Sequence, residues 1–144
     1  MSLLKMAYVP PAQIAPRASI RDAVAAALRQ GCDAVAVVEN GSIAGIVTSR
    51  DILLKVVLNR RDTDSTLVGE VMTTPVLTLH PDTDPEAALR LMLEKNIRHI
   101  LLSEDGARAA GMLSMRKLLN YLVEDQRDNL VHLEAFMNVD GIGG

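Results

Sequence analysis

Two heptapeptides carry the polar side chains best spaced to do chemistry. Gly45-Ile46-Val47-Thr48-Ser49-Arg50-Asp51 sets a hydroxyl and a carboxylate three positions apart. Gly111-Met112-Leu113-Ser114-Met115-Arg116-Lys117 repeats the glycine, the apolar pair, the hydroxyl and the arginine, but ends in a lysine. Each copy closes an apolar run and opens an amphipathic segment. At such a helix start Thr48 can serve as N-cap and Asp51 as its capping-box partner. The same groups can instead hold a ligand: the helix N–H groups and the hydroxyl suit an anion, and a carboxylate offers two acceptor oxygens to neighbouring donors. One heptapeptide alone reads first as a cap. Its duplication points to two similar half-domains, one with a complete polar site and one altered at Lys117.

The elements that must position these groups repeat as well. With Pro16 set on Pro81, Ser19 falls on Asp84, Ala23 on Ala88, Val24 on Leu89 and Leu28 on Leu93. Val35-Ala36-Val37 falls on Ile100-Leu101-Leu102, and one inserted residue brings Gly45 onto Gly111. Each repeat begins with a short extended piece before its proline. A helix follows, started by Ser19 with Asp22 in the first and by Asp84 with an N1 proline, Pro85, in the second. Ile20, Ala23, Val24, Ala27 and Leu28 share one helical face, as do Ala88, Leu89, Met92 and Leu93. A hairpin over residues 34–38 and 43–47 turns at Asn40-Gly41. Its counterpart over 97–102 and 109–113 turns at Asp105-Gly106. A second helix closes each unit on Ile52, Leu53, Val56 and Val57, and on Leu118, Leu119, Leu122 and Val123.

The fold class is therefore α/β: two tandem β-α-β-β-α units packed as a pseudo-twofold pair, plus a C-terminal helix. The expected boundaries are 8–60 for the first unit, 61–67 for a polar linker, 68–124 for the second unit and 125–144 for a helical extension and tail. One unit is marginal for an independent core, so the two should bury their sheets against each other. The stripe Leu119, Leu122, Val123, Gln126, Leu130, Leu133, Phe136 and Met137 outruns the second unit and needs a cover, from its own module or from a second subunit. Asp140 to Gly144 reads as a frayed tail.

Bulk properties narrow the function. The 144 residues are 49% apolar with net charge −3, which gives no basic surface for nucleic acid. Tyr8, Tyr121 and Phe136 are too few for base-stacking platforms. Cys32, the sole cysteine, fits a reducing, cytoplasmic setting. No apolar run reaches membrane-spanning length, and the N-terminus is too short and interrupted for a signal peptide. Asn40-Gly41-Ser42 reads as a turn rather than a glycosylation site. There is no Gly-rich phosphate loop with lysine and no Gly-x-Gly-x-x-Gly. His80, His99 and His132 lack metal-ligand spacing, no orienting pattern makes Cys32 with His99 a nucleophile and base, and the seven methionines read as core filler.

With the repeat in register, the sequence resembles a stand-alone cystathionine-β-synthase-type (CBS) domain pair, or Bateman module, over roughly residues 8 to 124. The duplicated β-α-β-β-α order, Val71-Met72-Thr73-Thr74-Pro75 ahead of the second repeat, and the G-h-x-[ST]-x-x-D pattern from Gly45 to Asp51 carry the resemblance. It implies a regulatory module without catalytic activity or catalytic cofactor. Such a module binds an adenosine-containing ligand (AMP, ADP, ATP, NAD or S-adenosylmethionine), has two clefts between its units, and commonly dimerises.

Carried onto these residues, the resemblance has Asp51 accept both ribose hydroxyls and Thr48 meet a phosphate. Gly45 and Ile46 let the strand approach the ligand. Val76 and Leu77 would touch the adenine, with Arg98, His99 and Arg116 near the phosphates. Arg50 would be exposed or paired with an acid. The second cleft would use Ser114 and Lys117 with Asp33 and Ala34; a lysine cannot accept ribose protons, so it should be empty or altered. Asp51 should lie near the surface. The leading function is a sensor whose ligand biases the placement of the units for an unidentified target protein. The alternative is a purely structural homodimerisation module without a physiological ligand.

Overall fold

A computed structural model describes residues 2–139, with side chains through residue 127. The chain opens with a 3-10 turn, Leu3–Met6, whose Leu3 is fully buried. The first unit then runs β1 (Gln13–Ile14), α1 (Ile20–Arg29), β2 (Ala34–Glu39), β3 (Ser42–Thr48) and α2 (Ser49–Asp51), which continues as a wider π-type helix over Ile52–Val57. After a short α3 (Val68–Val71), the second unit runs β4 (Thr78–Leu79), α4 (Pro85–Lys95), β5 (His99–Leu102), β6 (Gly111–Ser114) and α5 (Met115–Val139). The two three-stranded sheets are ordered β1-β2-β3 and β4-β5-β6. In each, the first strand lies parallel to the second and the third antiparallel to it.

The caps form as the residue types require. Ser19 Oγ accepts from Asp22 N at 3.1 Å, and Asp84 Oδ2 accepts from Glu86 N and Ala87 N at 3.1 and 3.3 Å. Strand alternation then divides the core into three layers. Val35, Val37 and Val47 pack with Ile20, Ala23, Ala27 and Val56 in the first unit. Ile100, Leu102 and Leu113 pack with Ala88, Met92, Leu118 and the N-terminal Leu3 and Met6 in the second. The opposite strand faces meet each other: Ala34, Ala36 and Ile46 from one unit lie against Leu101 and Met112 from the other. Small side chains thus face large ones, which lets the sheets approach closely.

Three elements differ from expectation. Asn40 and Gly41 both take positive φ (52° and 79°), as a two-residue hairpin turn demands. Asp105-Gly106 instead sits in a wider loop, because Asp105 Oδ1 accepts from Ala107 N (2.8 Å), Arg108 N (2.9 Å) and Ser103 Oγ (3.2 Å) and rounds the chain into a polar turn. The α3 turn lacks an apolar period of its own and is capped by Glu70, whose carboxylate accepts from Leu67 N at 2.8 Å. The closing helices bury half of the expected face. Val56 and Leu118 are buried, whereas Leu53 (61%), Val57 (60%) and Val123 (56%) are exposed. The expected stripe from Leu130 onward lies beyond the described side chains, and the expected frayed tail beyond the described residues.

Candidate functional site

The segments that lead into the two units cross over. Tyr8, ahead of the first unit, bridges Met112 of β6; Thr73, ahead of the second, bridges Ile46 of β3. In the register of the repeat Tyr8 falls on Thr73, and Ile46 on Met112. The heptapeptide glycines make this crossing possible. A Cβ on Gly45 would lie 2.6 Å from Met72 Sδ, and one on Gly111 would lie 2.9 Å from Leu4 Cδ2. Gly45 therefore admits the opposite unit's lead segment; it is buried under Met72 and does not line the cleft.

The crossing leaves a cleft of about 1020 Å³ between the units. Ile46, Thr48, Ser49, Arg50, Asp51, Leu53, Leu54 and Lys55 form one wall. Thr73, Pro75, Val76, Leu77 and the strip Lys95-Asn96-Ile97-Arg98-His99 form the other, with Asp33 at the edge. The structure so brings together Ile46, Thr48, Asp51, Val76, Leu77, Arg98 and His99. Arg116 is not among the lining residues. It opens α5 on the opposite side of the module, where its charge acts on Tyr8. Arg50, its counterpart in the first heptapeptide, is exposed as expected and lines the cleft. Asp33, expected in the second cleft, lines this one, because the turn from α1 into β2 ends beside His99 and also brings its backbone carbonyl 3.0 Å from Ser49 N.

Thr48 and Asp51 form the full capping box. Thr48 Oγ1 accepts from Asp51 N at 3.4 Å, and Asp51 Oδ2 accepts from Thr48 N at 2.9 Å and Thr48 Oγ1 at 3.2 Å. Asp51 is only 7% exposed, so the expectation of a near-surface carboxylate is corrected. Burial is tolerable because its outer oxygen is also satisfied: Oδ1 accepts from Thr73 Oγ1 at 2.7 Å and meets Lys55 Nζ at 3.0 Å. The cap and the cleft wall are therefore one constellation, not competing readings. Neither Thr73 nor Lys55 is among the expected partners. Lys55 stands four residues after Asp51, the ion-pair spacing of a helix; Thr73 could be found only through the crossing. Across the cleft His99 is half-buried, and desolvation holds its pKa below 6.5, against the raising influence of Asp33.

At the second, pseudo-equivalent position Ser114 Oγ accepts from Lys117 N at 3.1 Å, a plain cap. Lys117 Nζ lies 3.9 Å from the centre of the Tyr8 ring, and Tyr8 donates to the Gly31 carbonyl at 3.2 Å. The Asp51–Thr73 hydrogen bond of the first cleft is thus replaced by a cation–π pair between Lys117 and Tyr8. Ala34 is buried in the inter-sheet layer. Burial raises the pKa of Cys32. Among the described residues no group of histidine, cysteine or acidic side chains could hold a metal ion, and no helix is long and apolar enough to cross a membrane.

Fold and cleft together define a duplicated α/β module with a ligand-sized opening between its halves. The CBS domain family model matches residues 6–58 and 68–124, and the chain belongs to that family. It is 33% identical over 124 residues to the CBS domain-containing protein CBSX3, mitochondrial, of Arabidopsis thaliana, covering 83% of this chain and 60% of that one. It is 30% identical over 125 residues to the CBS domain-containing protein YhcV of Bacillus subtilis, covering 84% and 89%. This chain spans 60% and 47% of the first two curated relatives it matches, CBSX3 and an uncharacterised Methanopyrus kandleri protein. Among solved structures, a CBS-domain protein of Burkholderia ambifaria superposes with TM-score 0.76 at 28% identity, over 88% of this chain and 96% of that one. A CBS domain pair in complex with 5′-methylthioadenosine and S-adenosyl-L-methionine shares the fold, with TM-score 0.76 at 21% identity over 87% and 98%.

Proposed function

We propose that this CBS pair is a regulatory module that binds one adenosine-containing ligand in the cleft holding Asp51 and passes the binding on as a change in the placement of its two units. The carrying observation is the asymmetry between the clefts. One is open, with a buried carboxylate and threonine hydroxyl facing Val76, Leu77 and Arg98. At the other, Lys117 takes the place of the aspartate and lies against the Tyr8 ring. The open cleft has the volume of a small-molecule site, an aliphatic wall that suits a purine face, and cationic groups that suit phosphates. The ribose hydroxyls would donate to Asp51 in exchange for the donors now on Oδ1. The relative solved with two adenosyl compounds supports the ligand class. No catalytic role is assigned to any residue.

Calorimetry with AMP, ADP, ATP, NAD and S-adenosylmethionine tests this reading. One site per chain is expected, and Asp51→Asn should weaken binding by roughly 1.5–3 kcal/mol, the scale of hydrogen bonds to a charged group. Two equivalent sites per chain, or unchanged affinity in a folded Asp51→Asn protein, would remove the ribose assignment.

The module also carries a mirrored apolar surface. Leu28, Leu53 and Val57 of the first unit are exposed, as are Leu93, Leu119 and Val123, their equivalents in the second. Exposure at the same positions of both repeats supports a homodimer built on these helical faces, the surface on which a target protein would sense the change.

A further inference from the structure

Lys55 occupies the place that the proposed ligand needs. Its ammonium lies 3.0 Å from Asp51 Oδ1, donates to the Val71 carbonyl at 2.9 Å and lies 3.4 Å from Thr73 Oγ1. Asp51 Oδ2 is held by the cap and Oδ1 by Thr73 and Lys55, so the roughly four acceptor directions of the carboxylate are all taken. Of these donors, the two from Thr48 are fixed by the helix start. Lys55 is the one on a long, rotatable stem, and its side chain is 42% exposed. A ribose diol can therefore reach Asp51 most readily by displacing Lys55.

The displaced charge must go somewhere. The cleft lining already holds Arg50, Lys95 and Arg98 besides Lys55, against Asp33 and Asp51: four cations to two carboxylates, an excess of two positive charges. Placing a neutral nucleoside on Asp51 would strand the ammonium among these cations. A polyphosphate would receive it.

We infer that Lys55 is the specificity-determining cation of this cleft: it holds Asp51 while the cleft is empty and swings to the phosphates when a nucleotide enters, so that a nucleoside di- or triphosphate is favoured over adenosine or a cationic adenosyl compound. This rests on the adenosyl reading above. Lys55 acts as an internal competitor against ligands that offer no anion and as a binding group for those that do.

The test compares ADP, adenosine and S-adenosyl-L-methionine by calorimetry on the full chain and on Lys55→Met and Lys55→Gln, with folding checked by thermal unfolding. Lys55→Met should weaken ADP by about tenfold, the scale of one charge-assisted hydrogen bond, and should leave adenosine unchanged or tighter. Lys55→Gln, which keeps a donor for the Val71 carbonyl, should show the same inversion if Lys55→Met does not fold. On the unaltered protein, ADP affinity should fall with added KCl while adenosine affinity stays flat. Equal losses for ADP and adenosine, or salt-independent ADP binding, would overturn the role of Lys55 while leaving the adenosyl site in place. Failure of the unaltered protein to bind any of the three at millimolar concentration would overturn the adenosyl reading and this inference with it.

Discussion

One side chain decides the character of each cleft. An aspartate at the end of the first heptapeptide holds Thr73 across the crossing and Lys55 one turn along its own helix, and the open cleft lies beside them. A lysine at the end of the second lies against the ring of Tyr8. Both outcomes use the same backbone, so the difference is chemical: a carboxylate collects donors, and an ammonium lies against a π-face. His99 adds pH dependence on the far wall. Burial lowers its pKa in the folded protein from 6.5, so the unfolded chain binds its proton first as pH falls. The folding contribution of His99 is thus complete above about pH 6.5 and is lost as pH drops through the lowered folded value. Melting temperatures measured from pH 7.5 to 5 should fall, and His99→Asn should flatten the slope over that window. An unaltered slope would mean that other groups carry the acid sensitivity.

At the scale of elements, the crossing of lead segments explains why the heptapeptides start with glycine. Gly45→Ala would press a methyl group into Met72, whose Cβ as well as its sulfur stands in the way at 3.0 and 2.6 Å. The expected cost is about 1–3 kcal/mol by overpacking, and Met72→Ala in the same chain should recover part of it. Chemical denaturation of the single and double variants checks this; additive losses would show that Met72 is not the obstacle. A repeated Gly before a polar site gives no sign of which comes near, a ligand or the opposite unit's backbone. What can be read directly are features whose cause is local: the capped starts at Ser19 and Asp84, the Asn40-Gly41 turn, the apolar hairpin strands and the duplication itself. What cannot are contacts made across the pseudo-twofold. The expectation puts Arg116 in the cleft that Arg50 lines and Asp33 in the other, and Thr73 enters it only as part of a motif. Choosing between two equivalent arginines requires knowing which unit faces which opening, and that is set by the packing of Ala34, Ala36 and Ile46 on Leu101 and Met112.

At the scale of the whole molecule, each unit borrows structure from the other. The N-terminal Leu3 and Met6 complete the second core, and Thr73 and Lys55 tie the second unit's lead segment to the first unit's carboxylate. On the outside, the mirrored apolar face predicts assembly. Charged substitutions at matched positions, Val57→Glu with Val123→Glu, should halve the mass seen by light scattering; an unchanged mass would place the interface elsewhere. Inside, a ligand that touches both walls must lower the free energy of the paired arrangement relative to every other. At a hundredfold excess over Kd a ligand specific for the folded state stabilises it by about 2.7 kcal/mol, which for a chain of this size raises the melting temperature on the order of 5–10 °C. Any binder would do that. What distinguishes a bridging ligand is where protection appears. Hydrogen exchange with saturating ADP should slow at residues 46–55 of the first unit and at 73–77 and 97–99 of the second together, since opening either wall now costs the ligand's contacts with both. Protection on the first-unit segment alone would describe a ligand held by one wall. It would separate binding from the proposed signalling, because a ligand that does not discriminate between placements of the units cannot shift them.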